Sequence, residues 1–147
     1  TLKPNYTDAM LLVVQLAVAN NDLNTAVQAA GAAVQSAPGV PSLCFEYGLL
    51  LYSGNDSKDA VPALEQAVKL QSDYANAKYF LGLSYWLQKN SAGAIQQFQD
   101  LAKSNPDNAE VKSILANMQA GKKDPFAGAT PPGDTPPQKR STAPVSQ

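Results

Sequence analysis

The sequence carries few of the side chains that enzymes use for catalysis or metal binding. It has no histidine and a single cysteine, Cys44, which excludes histidine-based triads, histidine–cysteine metal clusters and an internal disulfide. The acidic residues are scattered, and no pair of carboxylates converges with a nearby base or nucleophile. We therefore expect a protein that is not an enzyme and uses no cofactor or metal ion. Cys44 is expected to be a small buried side chain.

Length and charge narrow the function further. The chain has 147 residues, 44% of them hydrophobic, and a formal net charge of −1, which suits one core of moderate size. No run approaches the ~20 apolar residues of a membrane helix, and the near-neutral charge offers little to a phosphate backbone. We expect neither membrane insertion nor nucleic-acid binding. Because the sequence starts at Thr1 without a signal peptide, we expect a mature product or a piece of a longer protein.

The composition changes near Gly121. From Asp124 onward the chain holds six of its eleven prolines and almost no bulky apolar residue apart from Phe126. Such a segment cannot bury enough surface to offset its ordering entropy. Residues 122–147 are therefore predicted to form a Pro/Thr/Ser-rich tail that is disordered or polyproline-like. The tail has net charge +2 and residues 1–121 have −3, so docking of the tail on the body is an open hypothesis.

A period of 34 residues organises the rest of the chain. Gly48 and Gly82 are separated by this step. The same step relates three further sets: Ala26, Ala60 and Ala94; Val27, Val61 and Ile95; and Ala30, Leu64 and Phe98. Within each unit, apolar residues recur every three or four positions, which predicts helices. A fixed period of this length is typical of stacked repeats.

Each unit is predicted to contain two helices joined by a short polar turn. The predicted helices cover residues 7–19, 23–36, 42–53, 58–71, 75–88, 92–104 and 108–120. Ser57 and Asp107 are predicted to be N-caps. With no strand pattern, the predicted fold class is all-α, an α-α superhelix of about seven helices.

The third unit carries a family motif. The residues are Lys78-x-x-Leu81-Gly82-x-x-Tyr85, then Ala94-x-x-x-Phe98, then Pro106. This pattern resembles the tetratricopeptide repeat (TPR), with Lys78 where the family has an aromatic residue. The first unit diverges most, since Val14 replaces the small glycine. The resemblance implies a TPR solenoid over residues 5–121, with repeats at about 7–40, 41–74 and 75–108 and a capping helix at 108–120.

In the TPR family the first helix of each pair lines a concave groove. The resemblance implies that the groove residues here are Leu11, Gln15, Val18, Phe45, Leu49, Tyr52, Tyr79, Leu83 and Trp86. These positions lack the Lys, Arg and Asn side chains with which some family members hold a peptide carboxylate. We therefore expect an apolar ligand, either an amphipathic helix or an extended, Pro-rich segment. The alternative is that the aromatic rings only pack within the repeats.

The N-terminal part of the chain is poor in charge. From Ala9 to Phe45 the only charged residue is Asp22, so we predict that something covers this end. A candidate assembly face lies on the second predicted helix: Val27, Ala29, Gly31 and Ala32. The covering partner would be upstream sequence or another copy, and head-to-tail contacts between copies would build a filament. The alternative is an exposed alanine-rich helix.

We predict a non-catalytic protein-interaction scaffold whose partner is a protein, a peptide or another copy of itself. Two alternatives stay open: a structural subunit of a self-assembling homo-oligomer or extracellular filament, and an accessory TPR module of a larger bacterial envelope protein. The end of the repeat region also resembles the close of repeat regions attached to bacterial envelope proteins, which points to the cell envelope or the extracellular space. Asn5 and Asn55 match the N-glycosylation sequon.

Overall fold

The chain folds into a row of helices in which each packs on the next. The computed structural model describes residues 4–130, which contain seven α-helices and no β-strand. The helices are α1 (Pro4–Ala19), α2 (Leu23–Ser36), α3 (Pro41–Ser53), α4 (Ser57–Leu70), α5 (Ala75–Leu87), α6 (Ser91–Ser104) and α7 (Ala109–Gln119). The predicted all-α superhelix is confirmed, and each helix end lies within three residues of its predicted place. The predictions for residues 131–147 lie outside the described residues.

The turn inside each helix pair repeats with the 34-residue step. Asn21, Asn55 and Lys89 have positive φ angles of 60°, 62° and 64°, a conformation that reverses the chain at a helix end. The next residue of each turn caps the following helix by accepting a hydrogen bond from the backbone N–H three residues ahead. The pairs are Asp22 with Thr25, Asp56 with Asp59 and Asn90 with Gly93. The sequence period is therefore also a period of backbone geometry.

Two predicted N-caps are wrong by one residue. Asp56, not Ser57, caps α4, and Asn108, not Asp107, caps α7 by accepting the Val111 N–H at 3.0 Å. In each case the capping side chain accepts a hydrogen bond from the backbone N–H three residues ahead. Ser57 is already the first residue of α4, and Asp107 lies one residue before the N-cap of α7.

Glycine permits close packing within the second and third pairs. A Cβ atom on Gly48 would lie 2.7 Å from Leu64 Cγ, and one on Gly82 would lie 2.6 Å from Phe98 Cε2. In the first pair the corresponding residue is Val14, which is 1% exposed. The larger side chain fits because Ala30 stands where Leu64 and Phe98 stand in the other pairs. The helices of the first pair therefore pack closely although the glycine is missing.

Polar contacts join the second and third pairs across their outer surfaces. The Tyr85 hydroxyl donates a hydrogen bond to Glu65 Oε1, and Gln88 Nε2 donates to Ser57 Oγ at 2.5 Å. Burial, and then the hydrogen bond and charge of Glu65, raise the pKa of Tyr85 to about 12. The hydroxyl therefore keeps its proton at neutral pH, and Tyr85 acts as a structural donor between α5 and α4.

Cys44 lies in the main core, as predicted. Its side chain has no exposed surface, and burial raises the pKa of its thiol. The thiol is therefore kept from solvent and in its protonated, less reactive form.

Candidate peptide-binding groove

The face formed by the odd-numbered helices is not uniform. In the described residues, α3 and α5 contact each other directly, whereas neither α1 and α3 nor α5 and α7 approach closely. The gap between α1 and α3 is open. It forms a cavity of about 420 Å³ lined by Gln15, Val18, Ala19, Asn21, Leu23, Glu46, Leu49, Leu50 and Ser53. Apolar side chains with a few polar groups at the edge are typical of sites that take a partner's side chain.

The predicted groove residues divide between this surface and the core. Leu49 lines the cavity between α1 and α3. Tyr52 and Trp86 are half-buried and keep part of their rings accessible. Phe45 and Tyr79 are only 0% and 1% exposed.

Phe45 and Tyr79 offer no surface to a partner in this structure, which corrects their assignment to the groove surface. Their rings reach back between the helices and join a row of aromatic contacts. Centroid distances along this row run from 5.0 to 6.1 Å and involve Tyr74, Phe45, Phe80, Tyr52, Tyr79, Phe98 and Phe126. Leu83 is also buried, at 8% exposure. Large rings at these positions thus stabilise the stacking of the pairs.

The tyrosines of this row stay neutral. Burial raises the pKa of Tyr52, Tyr74 and Tyr79 above the ordinary value. The Glu46 carboxylate raises that of Tyr74 further, and Glu110 does the same for Tyr79. The three hydroxyls therefore stay protonated, and of these residues only Tyr52 keeps part of its ring accessible.

The chain after α7 packs back on α6 and α7. Pro125 is among the fully buried side chains, and the Phe126 ring lies 5.7 Å from the ring of Phe98. Asn117 Nδ2 donates a hydrogen bond to the Pro125 carbonyl at 3.2 Å, and the Thr130 N–H donates to Glu110 Oε1 at 3.0 Å. Residues 124–130 are therefore held against the helices, whereas the tail on its own was expected to be disordered or polyproline-like.

Three residues of the predicted assembly face contact other helices of the same chain. Ala29 is 7% exposed and belongs to the core shared with Val14. Val27 packs against the same core, and a Cβ atom on Gly31 would lie 3.3 Å from the Tyr47 ring. Ala32 is half-buried. Val27, Ala29 and Gly31 thus help to pack α2 on its neighbouring helices, and assembly through this face stays a prediction.

The exposed apolar surface lies on α1 instead. Leu12, Val13 and Leu16 are 66%, 41% and 64% exposed. One repeat further on, Tyr47 and Leu50 of α3 occupy the positions of Val13 and Leu16. There Leu50 is 7% exposed because α2 covers it. The outer face of α1 is therefore a stacking surface of the same kind as that of α3, without a helix on it in the described residues.

The two sequon asparagines differ in what the structure describes. Asn55 lies exposed in the turn between α3 and α4, so its amide is accessible. Asn5 lies in the first turn of α1. Glycosylation of either residue stays a prediction.

Residues 4–130 contain no helix with the length and apolarity needed to span a membrane. In the same range no three His, Cys, Asp or Glu side chains are grouped so that they could hold a metal ion.

Helix pairs stacked with a fixed step, and with equivalent turns, caps and packing residues, define an α-α superhelix of short repeats. Residues 45–109 match the family model described as the tetratricopeptide repeat. This segment therefore belongs to the TPR family, and the described helices on either side continue its architecture. No curated protein matches the chain in sequence.

Several solved structures share the fold at low sequence identity. The first TPR of Spaghetti (RPAP3), bound to an HSP90 peptide, has a TM-score of 0.73 at 13% identity, covering 82% of this chain and 95% of that one. MamA has a TM-score of 0.75 at 19% identity, with 86% and 70% coverage. The Sgt2 TPR domain from Aspergillus fumigatus has a TM-score of 0.69 at 20% identity, with 93% and 91% coverage. At such identities the likeness shows the fold alone.

Proposed function

We propose that this chain is a non-catalytic protein-interaction scaffold that binds an apolar segment of a partner protein in the groove formed by the odd-numbered helices. The observation that carries the proposal is the open, mainly apolar cavity between α1 and α3. It accommodates one or two anchoring side chains of a helix or of an extended, Pro-rich segment. Two similar folds support a peptide partner, since the RPAP3 repeat was solved with an HSP90 peptide and yeast Sti1 TPR2B with an Hsp70 peptide.

The lining of this cavity indicates how the ligand is recognised. It contains no Lys or Arg, and its acidic residue is Glu46. A terminal carboxylate would therefore find no cation to bind. We propose recognition through internal apolar side chains, so amidating the C-terminus of a bound peptide should leave its affinity unchanged.

We expect Val18→Lys to weaken ligand binding at least ten-fold. Val18 lines the cavity and is 47% exposed, so the lysine would place a charge in the site without entering the core. Peptides are first selected from a display library on the full chain, and their dissociation constants are then measured on wild type and variant. The matched control is Leu16→Lys, which adds the same charge on the outer face of α1. If both variants weakened binding equally, or if neither variant weakened it, binding in this cavity would be contradicted.

Self-association is a second candidate function, and the exposed outer face of α1 favours it. Val13 and Leu16 occupy the positions of Tyr47 and Leu50, which pack against α2 in α3, and Leu12 is also exposed. At the other end of the row, Pro125 and Phe126 pack on the last helices. This leaves the α1 face to pair with the same face of a second copy, which gives a closed dimer with two-fold symmetry instead of a filament.

We expect wild type to form dimers as concentration rises and Leu16→Lys to stay monomeric. The lysine places a charge at the centre of the apolar contact, where a second copy would have to desolvate it. Static light scattering over a hundred-fold concentration range measures the molar mass. Val18→Lys, on the cavity side of the same helix, should still dimerise. Wild type that stays monomeric throughout would remove this candidate.

A role as an accessory module of a larger bacterial envelope protein, and an envelope or extracellular location, remain predictions. They rest on the sequence resemblance stated above.

A further inference from the structure

The segment after α7 takes the place where a second helix would complete the pair that α7 begins. Gly121 has a φ of 71°, and the Lys122 N–H donates to the Asn117 carbonyl at 3.0 Å. The same pattern of turn ends α1, α3 and α5. Those turns lead into a capped helix, whereas here Asp124 accepts the Phe126 N–H at 3.2 Å and the chain folds back.

Residues 124–130, which we name the strap, run along α7 from its last turn to its first. The Pro125 carbonyl accepts a hydrogen bond from Asn117, and the Thr130 N–H donates one to Glu110. Phe126 contacts the Phe98 ring between these two points. The strap thus contacts α7 near both of its ends.

The surface under the strap corresponds to the groove surface of the earlier repeats. Ser113 and Asn117 stand one 34-residue step after Tyr79 and Leu83, and both line the space between strap and helix. This space is a cavity of about 270 Å³. The strap therefore lies on the groove side of α7. The corresponding side of α1, near Val18, faces the open cavity between α1 and α3.

The contacts of the strap are those of a bound peptide more than those of a core segment. Pro125 is fully buried, but Phe126 is half-buried and Ala127 and Gly128 are exposed. The hydrogen bond to Glu110 is exposed to solvent, where water competes for both partners. Pro125, the Phe126 ring, the partly buried Ala129 and two hydrogen bonds to α7 hold the strap. A contact this small allows the strap to leave without unfolding the helices.

We propose that the strap is an intramolecular ligand of a second recognition site, on α7, for extended segments that carry a proline–aromatic pair. The site binds Pro125 and the Phe126 ring in cis and takes a segment of the same chemistry in trans only when the strap is displaced. This inference rests on the proposed function in that both use the groove side of the odd-numbered helices. It adds the class of ligand and a built-in competitor for it.

The test uses the full chain and a labelled synthetic peptide of residues 122–130. Fluorescence anisotropy gives the affinity of this peptide for wild type, Phe126→Ala and the matched control Ala127→Ser, which changes an exposed neighbour of Phe126. We expect Phe126→Ala to bind the peptide at least ten-fold more tightly than wild type or Ala127→Ser, because its own strap no longer competes. A peptide carrying Phe126→Ala should not bind any of the three.

Equal affinity of wild type and Phe126→Ala for the peptide, or equal binding of both peptides, would overturn the inference. Circular dichroism shows whether the variant keeps its helices. If it does not, Thr130→Pro serves instead, because it removes the N–H that binds Glu110 and leaves Phe126 in place. About a three-fold gain in peptide affinity is expected for Thr130→Pro, and no gain would count against the strap.

The outcome is separable from that of the proposed function. Loss of library-peptide binding in Val18→Lys, together with no binding of the strap peptide, would remove the α7 site alone. Binding of the strap peptide to Phe126→Ala, with no effect of Val18→Lys on library peptides, would remove the α1–α3 site alone.

Discussion

Replacing Phe98 with alanine is expected to lower the free energy of unfolding by about 3–5 kcal/mol. The Phe98 side chain has no exposed surface and lies 5.3 Å from the Tyr79 ring and 5.7 Å from the Phe126 ring. Alanine would leave a cavity at the point where α5, α6 and the strap meet. Urea denaturation followed by circular dichroism measures the loss.

Phe126→Ala is the matched control for this prediction. It removes the other ring of the Phe98–Phe126 contact. Because Phe126 is only half-buried, the loss of transfer free energy is smaller. A loss of stability in Phe98→Ala no larger than that in Phe126→Ala would show that Phe98 is not the centre of the aromatic row.

Gly82→Ala is expected to lower the free energy of unfolding by about 1–3 kcal/mol. In an exposed helix the same change would stabilise by about 1 kcal/mol, because alanine is the better helix former. Here the new Cβ atom would meet Phe98 Cε2 at 2.6 Å, in a ring that the surrounding core holds in place. The double variant Gly82→Ala, Phe98→Ala should be more stable than the sum of the single effects predicts.

Gly39→Ala provides the comparison, since nothing lies within 4 Å of the Cβ atom it would gain. We expect it to change the free energy of unfolding by less than about 0.5 kcal/mol. A double variant with strictly additive effects would contradict the account of close packing between α5 and α6.

The sequence was sufficient to predict the helices and their pairing because the residues that decide both repeat with a fixed step. Gly48 and Gly82 face large side chains across their helix pairs, so a small residue is needed at this position of both units. In the first pair the sizes are reversed, because the larger Val14 lies on the first helix and the smaller Ala30 on the second. The close packing is therefore kept although the glycine is absent.

The exposure of the groove residues could not be read from the period. The 34-residue register places Phe45 and Tyr79 on the groove side of their helices, but it does not say how far a long ring reaches. Where there is space between neighbouring helices, a ring that enters this space is more stable than one left in water. Both rings are therefore in the core, while Leu49 and Val18 line the cavity between α1 and α3.

The strap was missed for a different reason. Residues 124–130 lie in a stretch whose overall composition is that of a tail, and no periodic pattern marks them. The signal available was Phe126 itself, a large apolar residue directly after Pro125 in an otherwise polar segment. A single ring has little weight in a composition average, but it is sufficient to anchor a short segment on a preformed apolar surface.

The most direct test of the central claim is to map the ligand site by nuclear magnetic resonance. A peptide selected on the full chain is titrated into ¹⁵N-labelled protein, and the amide shift changes are assigned. Binding in the groove predicts the largest changes around Val18, Leu49 and Ser53, which line the cavity between α1 and α3. Changes concentrated around Leu12 and Leu16 on the outer face of α1, with none at the cavity, would contradict it.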